Sequence, residues 1–236
     1  MQLYFIAPIA VPVPCQINLG SEESFHCIKV LRMRVGETIH LTDGMGNLYE
    51  GQILAQDSKN CPVMLNSVEP DFGKRPFRLH LAVAPTKNMA RFEWFLEKAT
   101  EIGIDEITPL ICEHSERAHI RVDRLQKIIL SAAKQSLKTY LPVLHEAMKF
   151  DDFIKLNHHA SRFVAYVEEH QPLHLKLAYQ EGDCTVLIGP EGDFSRKEMD
   201  LATKSGFNPV SLGPSRLRTE TAAIVACHTI NIANEL

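Results

Sequence analysis

The spacing of apolar residues changes once along this 236-residue chain, and the change limits the folds that the chain can adopt. Up to about residue 68, apolar residues form short runs separated by turn residues, which is typical of small β-domains. From Arg78 onward, strand-like runs alternate with helical ones, which indicates an α/β domain with a largely parallel sheet. A polar, turn-rich stretch at 69–76 separates the two patterns. We therefore predict two domains, residues 1–72 and 73–236.

The first domain is predicted to be a small β-barrel with one helix. The run Asp-Gly-Met-Gly-Asn at 43–47 is a strong hairpin signal between two strands. A helix is expected to begin near Ser21, because Phe25, Ile28 and Leu31 follow at helical spacing. The predicted strands are 3–6, 38–41, 48–54 and 61–68.

The second domain is predicted to alternate strands and helices. The final helix is apolar almost all round, which implies burial on more than one side, and a dimer interface would explain it. The predicted strands are 79–84, 107–111, 163–167, 185–188 and 209–212, and the main predicted helices are 88–102, 122–137 and 219–234.

Composition predicts a globular protein with a packed core, since 45% of the residues are apolar. The net charge is −4, and the first 72 residues are acidic, with four basic and eight acidic side chains. Basic residues cluster locally at 74–78, at 117–127 and at Arg216 and Arg218. These clusters could hold phosphates, although solvated surface charge is the alternative interpretation.

Several classes of protein are disfavoured by what the sequence lacks. No apolar run approaches the roughly 20 residues of a membrane span, and the start of the chain does not resemble a signal peptide, so we expect a cytoplasmic protein. The six cysteines form no C-x-x-C pair, which favours reduced thiols. We predict no metal site, because H-E-x-x-H is absent and the His158-His159 pair lies in a loop-like stretch. Phosphate-binding G-x-x-x-x-G-K-[ST] and dinucleotide-binding G-x-G-x-x-G motifs are absent as well.

Two glycine turns carry the strongest functional signal. An apolar strand ends in Gly189-Pro190-Glu191-Gly192, and the next strand ends in Leu212-Gly213. Because ligands bind at the carboxyl ends of parallel strands, the two turns are predicted to form adjacent walls of one pocket. Ser195 and Glu198 form a capping box that begins the following helix, so Ser195 is interpreted as a cap rather than a nucleophile.

These motifs, in this order, resemble those of the RsmE family of SPOUT methyltransferases. The resemblance covers essentially the whole chain, because that family also begins with a small PUA-like barrel. It rests on the segments Ile188-Gly189-Pro190-Glu191-Gly192, Leu212-Gly213 and Leu217-Arg218-Thr219-Glu220-Thr221-Ala222, on Lys87, Arg91, Glu93, Lys98 and Glu101-Ile102-Gly103 upstream, and on Ser115-Glu116-Arg117 and Gln135-Ser136.

The resemblance implies an S-adenosylmethionine-dependent enzyme that methylates uridine N3 in small-subunit (16S) ribosomal RNA. It further implies a SPOUT α/β domain with a C-terminal trefoil knot, a preceding PUA-like β-barrel, and a homodimer that completes the pocket. The residues it assigns to cofactor binding are Leu187, Ile188, Gly189, Glu191, Gly192, Leu212, Gly213, Leu217, Arg218, Thr219, Thr221 and Ala222.

Catalytic and RNA-binding candidates follow from the same resemblance. Arg218 and Arg117 are expected to hold phosphate or neutralise negative charge on the uracil, although ordinary surface ion pairing is the alternative. Glu220 is a candidate proton acceptor or a helix-start carboxylate. The RNA-binding candidates are Arg32, Arg34, Lys87, Arg91 and Arg117.

Two positions depart from the family pattern, and three other functions stay open. Asp193 stands where the family commonly has glycine, and Lys134 stands where an acidic residue is expected. The chain could act on another RNA, serve as a non-catalytic RNA-binding module, or be a small-molecule α/β enzyme. No nucleophile or metal motif supports the last of these.

Overall fold

The computed structural model describes residues 2–117, 119–156, 160–166 and 172–235, so that the His158-His159 pair and Val167 lie outside the described residues. The chain divides into two compact units, Met1–Lys74 with Ala133–Leu141, and Arg75–Ala132 with Pro142–Leu236. The segment 133–141, which the sequence analysis placed inside the second domain, thus groups with the first unit.

The first unit is a five-stranded sheet with the order β1-β3-β4-β5-β2, in which β1 and β3 are parallel and the other pairs are antiparallel. The four predicted strands are confirmed, whereas β2 was not predicted because it is short and follows a proline-rich stretch. The strands are β1 (Leu3–Phe5), β2 (Cys15–Asn18), β3 (Thr38–Thr42), β4 (Leu48–Ile53) and β5 (Pro62–Glu69), and helix α1 (Ser21–Phe25) continues into a π-helical segment, His26–Val30.

The predicted β3–β4 hairpin also contacts segment 133–141, the later stretch of chain that belongs to the first unit. Asp43 holds the turn, because its carboxylate accepts the Met45 N–H at 2.8 Å and the Asn47 side-chain amide at 2.6 Å. Gly46 has a φ of +94°, and a Cβ added there would lie 2.1 Å from the Tyr140 ring. A glycine is therefore required where this ring packs.

Lys134, one of the two departures from the family pattern, forms an ion pair with Glu23 inside the first unit. Both side chains are largely buried, with 22% and 11% of their surface exposed. Removing one partner of a buried pair leaves the other charge uncompensated. The ion pair with Glu23 therefore accounts for a lysine at position 134.

Replacing Lys134 by glutamate is expected to lower the free energy of unfolding by about 3 kcal/mol, because two carboxylates would then meet in a largely buried site. Urea unfolding followed by circular dichroism measures the change. The exchange of both residues, Glu23→Lys with Lys134→Glu, should recover most of the loss, whereas Lys127→Glu on the exposed face of the same helix should have little effect. If the double exchange is no more stable than Lys134→Glu alone, this pair does not stabilise the unit.

The second unit contains a seven-stranded parallel sheet with the order β12-β10-β11-β6-β7-β8, and β9 also pairs with β7. The five predicted strands and three main helices are present with small shifts at their ends, and the short elements β8, β9, α4 and α5 were not predicted. The strands are β6 (Leu79–Val83), β7 (Glu106–Ile111), β8 (Val143–Leu144), β9 (Met148–Lys149), β10 (Ser161–Ala165), β11 (Cys184–Ile188) and β12 (Asn208–Val210). The helices are α2 (Met89–Ile102), α3 (Val122–Gln135), α4 (Phe150–Phe153), α5 (Leu175–Ala178), α6 (Arg196–Lys204) and α7 (Thr219–Glu235).

Both faces of this sheet are covered, as is usual for parallel sheets. On one face, Leu79 and Leu81 of β6 belong to a buried cluster with Phe95 of α2 and Ala226 of α7. On the other face, a second cluster packs around Phe153 of α4. The sheet therefore leaves the ends of its strands as the place where a ligand can enter.

Three sequence expectations concern the whole chain. Among the described residues, no helix combines the length and the apolar character needed to cross a bilayer. All six cysteines are free, and five of them are buried, as predicted. The trefoil knot stays a prediction from the family resemblance.

Candidate active site

A cavity of about 650 Å³ lies at the carboxyl ends of three neighbouring strands, β10, β11 and β12. Its size is typical of a small-molecule site. Both glycine turns contribute to its wall, as the sequence analysis predicted. The described residues that line it are Ala165, Tyr166, Pro172, Ile188, Gly189, Pro190, Glu191, Asp193, Val210, Ser211, Leu212, Gly213, Pro214, Ser215, Arg216, Leu217, Arg218, Thr219 and Ala222.

Hydrogen bonds from side-chain hydroxyls hold the turns of this cavity in place. The Thr219 hydroxyl, at the start of α7, donates to the Gly189 carbonyl at 3.0 Å and so joins two walls. The Ser211 hydroxyl accepts the Gly213 N–H at 3.1 Å. Gly213 has a φ of +122°, which side chains rarely adopt, and a Cβ at Gly189 would lie 3.1 Å from the Phe194 ring. The backbone geometry of the walls therefore depends on glycine at both positions.

Asp193 shows how the turn tolerates its departure from the family pattern. Its φ is +63°, a left-handed conformation that aspartate adopts more readily than most residues. Its N–H donates to the Pro190 carbonyl at 2.9 Å, and its carboxylate accepts the Phe194 N–H at 2.8 Å. Burial raises the pKa of Asp193 above its usual value, while the Phe194 N–H and the charge of Arg216 oppose that rise. The turn keeps its shape and places a carboxyl group on the cavity wall.

Most of the residues predicted to bind the cofactor line the cavity. Three do not, and the geometry explains each. Leu187 is fully buried because it points from β11 into the core. Gly192 lies against His114, whose Cβ would be 3.0 Å from an added side chain. Thr221 is in the first turn of α7, but it points about 100° away from Ala222, which does line the cavity. The predicted residues that line the cavity are Ile188, Gly189, Glu191, Leu212, Gly213, Leu217, Arg218, Thr219 and Ala222.

The three catalytic candidates are not brought together. Arg218 lines the cavity, whereas Arg117 is exposed and donates to the Lys87 carbonyl at 3.0 Å. Glu220 is buried and outside the cavity lining, with one carboxylate oxygen 3.8 Å from the Arg91 guanidinium. Its other oxygen has no hydrogen-bond partner in the part of the chain that the structure describes. Glu220 therefore faces Arg91 rather than the cavity.

Two of the RNA-binding candidates adjoin the cavity wall through Glu191. The Lys87 N–H donates to the Glu191 carboxylate at 3.0 Å, and Arg117 in turn holds the Lys87 carbonyl. The Lys87 ammonium forms an exposed ion pair with Glu116 at 2.8 Å. In the first unit, Arg32 and Arg34 are both exposed.

Sequence reasoning missed part of the cavity. Ala165 ends β10 and Tyr166 follows it, and Arg216 lies in the loop before α7. The rule that ligands lie at the carboxyl ends of parallel strands could have found Tyr166, because the strand itself was predicted. Pro172 carried no comparable signal.

Comparisons with known proteins find matches to both the first and the second part of the chain. A family model described as an RNA methyltransferase domain matches residues 73–231, and one described as an RNA methyltransferase PUA domain matches residues 19–61. A protein of Rickettsia conorii named ribosomal RNA small subunit methyltransferase E is 30% identical over 227 residues, which are 92% of this chain and 90% of that protein. The chain belongs to the RsmE family.

Solved structures of methyltransferases share the fold of this chain. A probable rRNA methyltransferase from Porphyromonas gingivalis is 40% identical, with a TM-score of 0.91 over 100% of this chain and 99% of the other. A methyltransferase from Legionella pneumophila, solved with bound S-adenosylmethionine, is 30% identical, with a TM-score of 0.84 over 98% of this chain and 97% of the other. The predicted SPOUT-type α/β fold and PUA-like first domain are thereby confirmed.

Proposed function

We propose that this protein transfers a methyl group from S-adenosylmethionine to N3 of a uridine in small-subunit (16S) ribosomal RNA. The observation that carries the proposal is the cavity of about 650 Å³ between two glycine turns at the ends of parallel strands. The relative named ribosomal RNA small subunit methyltransferase E, at 30% identity, supports the choice of substrate.

The cavity suits S-adenosylmethionine in size and in chemistry. Backbone groups of 188–191 and 212–213 can approach a flat adenine because glycines leave the walls open. Asp193 and Glu191 place carboxyl groups at the wall, which suits a cofactor that carries a positive sulfonium and an ammonium group. When bound, the cofactor supplies a methyl group activated for in-line transfer.

Arg218 is proposed to neutralise the negative charge that develops on the uracil as N3 loses its proton. Methyl transfer needs mainly positioning and a suitable charge environment, and a cation beside the reacting base supplies the second of these. Arg218 is the catalytic candidate that lines the cavity. Glu220, which is buried beside Arg91, is proposed to position that arginine rather than to accept the proton.

The remaining basic candidates are proposed to hold RNA. Lys87, Arg91 and Arg117 would bind the backbone of the target strand in the second domain, residues 73–236, and Arg32 and Arg34 would contact RNA in the first domain, residues 1–72. A few well-placed cations suffice where RNA is recognised by shape within an assembled particle. The proposed setting is the small ribosomal subunit in the cytoplasm.

The protein is proposed to act as a homodimer. In addition to its buried side and to Ile224, which packs against the core of the second unit, α7 carries the half-exposed apolar residue Val225. Size-exclusion chromatography with light scattering is expected to report twice the 26.6 kDa chain mass. Val225→Asp should shift the protein toward the monomer, and Lys197→Asp at an exposed position of α6 is the control. A wild-type protein that stays monomeric at micromolar concentration would contradict the proposal.

Nucleoside mass spectrometry tests the function directly. Small ribosomal subunits from a strain that lacks the corresponding methyltransferase are incubated with this protein and S-adenosylmethionine. The expected product is 3-methyluridine in the small-subunit RNA. If the protein binds the cofactor but adds no methyl group to these subunits, the proposed substrate is wrong.

A further inference from the structure

Three potential metal ligands of the second unit meet near the start of β6, at the start of β7 and just after β8. His80 of β6 pairs directly with Glu106 of β7, and Glu106 pairs with Val143 of β8. His145 follows two residues after Val143, and its N–H continues the pairing by donating to the Ile107 carbonyl at 2.9 Å. Because alternate residues of a strand point to one face, all three side chains lie on the same face of the sheet.

The distances in this cluster, His80, Glu106 and His145, approach those of a metal site. One ligand atom from each residue lies within 4.8 Å of the other two, and His145 Nε2 is 2.9 Å from a Glu106 carboxylate oxygen. A tetrahedral zinc ion holds nitrogen and oxygen ligands at about 2.0–2.2 Å, which places the ligand atoms roughly 3.4 Å apart. Small side-chain rotations would be enough to bring the three residues around one ion.

The surroundings of the cluster restrict the His80 ring. Its Nε2 lies 2.8 Å from the hydroxyl of buried Thr108, and its ring packs edge-on against Phe153 with centroids 5.4 Å apart. An outer partner in a metalloprotein holds the ring nitrogen that does not bind the metal, so the Thr108 contact leaves Nδ1 of His80 as the ligand atom. Arg78 opposes a cation at this position, with its guanidinium 3.5 Å from the Glu106 carboxylate. Its side chain is 60% exposed and can turn toward solvent.

The geometry points to a binding site for a divalent transition metal, with Zn²⁺ as the best match, formed by His80, Glu106 and His145. Two imidazoles and one carboxylate are a common zinc ligand set that leaves a fourth position for water. This replaces the expectation of no metal site. Sequence spacing did not reveal it, because the three residues are spread over three strands and match no motif.

The proposed metal would stabilise the sheet rather than take part in methyl transfer. Val83 of β6 pairs with Ile188, which lines the cavity, whereas His80 lies three residues earlier on the same strand. Three residues of a strand span roughly 10 Å. The ion would instead connect β6, β7 and the end of β8. The inference is therefore independent of the proposed methyltransferase activity.

Zinc titration of the full-length protein tests the site. Protein stripped with a chelator is titrated with ZnCl₂ by isothermal titration calorimetry, with a weak chelator present to suppress loose binding to other side chains. The expected result is one tight equivalent per chain. Substitution of a ligand, as in His145→Ala or Glu106→Gln, should weaken this binding by at least about 100-fold, more than the 10- to 100-fold that follows loss of an outer partner.

Two variants serve as controls. His40→Ala removes a histidine that also stands beside a glutamate, at 4.0 Å from Glu50, but belongs to no three-ligand cluster among the described residues. It should leave zinc binding unchanged. Arg78→Ala should preserve or tighten binding, because it removes the opposing charge.

Thermal unfolding distinguishes loss of the site from loss of the fold. Zinc should raise the unfolding temperature of the wild type and of His40→Ala above their values in chelator, and should not raise that of Glu106→Gln above its own value in chelator. Glu106→Gln is the deciding variant, because it keeps the size of the side chain. The proposal is wrong if Glu106→Gln binds zinc with the wild-type affinity and stoichiometry, or if the wild type binds no tight equivalent.

Discussion

Replacement of Arg218 by alanine is expected to lower the rate of methyl transfer by about 100- to 1,000-fold, the usual cost of losing one donor that stabilises developing charge. Arg218 lines the cavity at the turn that leads into α7. The loss should appear in kcat, while the affinity for S-adenosylmethionine changes by less than about threefold, because the charge forms only during the reaction. Single-turnover kinetics with radiolabelled cofactor measures the first quantity, and calorimetry the second.

Arg196→Ala is the matched control for this substitution. Arg196 is exposed at the start of α6 and does not line the cavity, so its removal should leave the rate close to that of the wild type. An equal loss of rate and of cofactor affinity in Arg218→Ala would assign Arg218 to cofactor binding instead of catalysis.

Replacement of Gly189 by valine is expected to weaken S-adenosylmethionine binding by about 10- to 100-fold, the equivalent of roughly 1–3 kcal/mol of overpacking. An added Cβ would lie 3.1 Å from the Phe194 ring. That ring is 3% exposed and packs against Phe150 at 5.5 Å, so it cannot move aside. The strain would push the turn, and the carbonyl that Thr219 holds, away from its position on the cavity wall.

Calorimetric titration with the cofactor measures this effect, and thermal unfolding shows whether the variant remains folded. Gly20→Val is the control, since nothing lies within 4 Å of a Cβ added at Gly20. Wild-type cofactor affinity in a folded Gly189→Val protein would show that this turn does not contact the ligand.

Much of the fold was predictable because its signals are local. The hairpin turn at 43–47, the capping box of Ser195 and Glu198, and the apolar strands of the parallel sheet all depend on neighbours in the sequence. The capping box is present in full, with hydrogen bonds in both directions. Short elements such as β8 and α5 have too few residues to show a period, so they were not predicted.

Site residues were predictable where they directly follow a strand. They were less predictable in α7, where the rotation of the helix determines which side chains face the cavity. Successive residues of α7 point about 100° apart, so Thr219 reaches the Gly189 carbonyl while Glu220 turns toward Arg91. A sequence motif that includes both residues does not show this difference. The pairing of Lys134 with Glu23 was equally hidden, because the two residues come together only in the folded protein.

The return of residues 133–141 to the first unit affects how the protein can be divided experimentally. A fragment that ends near residue 72 would lack the Thr139 and Tyr140 contacts to residues 71–72, and Glu23 would lose its lysine. Such a fragment would expose the surface that these residues cover. A chimera that exchanges the amino-terminal unit between homologues must therefore carry two stretches of chain, and a fusion at a single junction would combine mismatched halves.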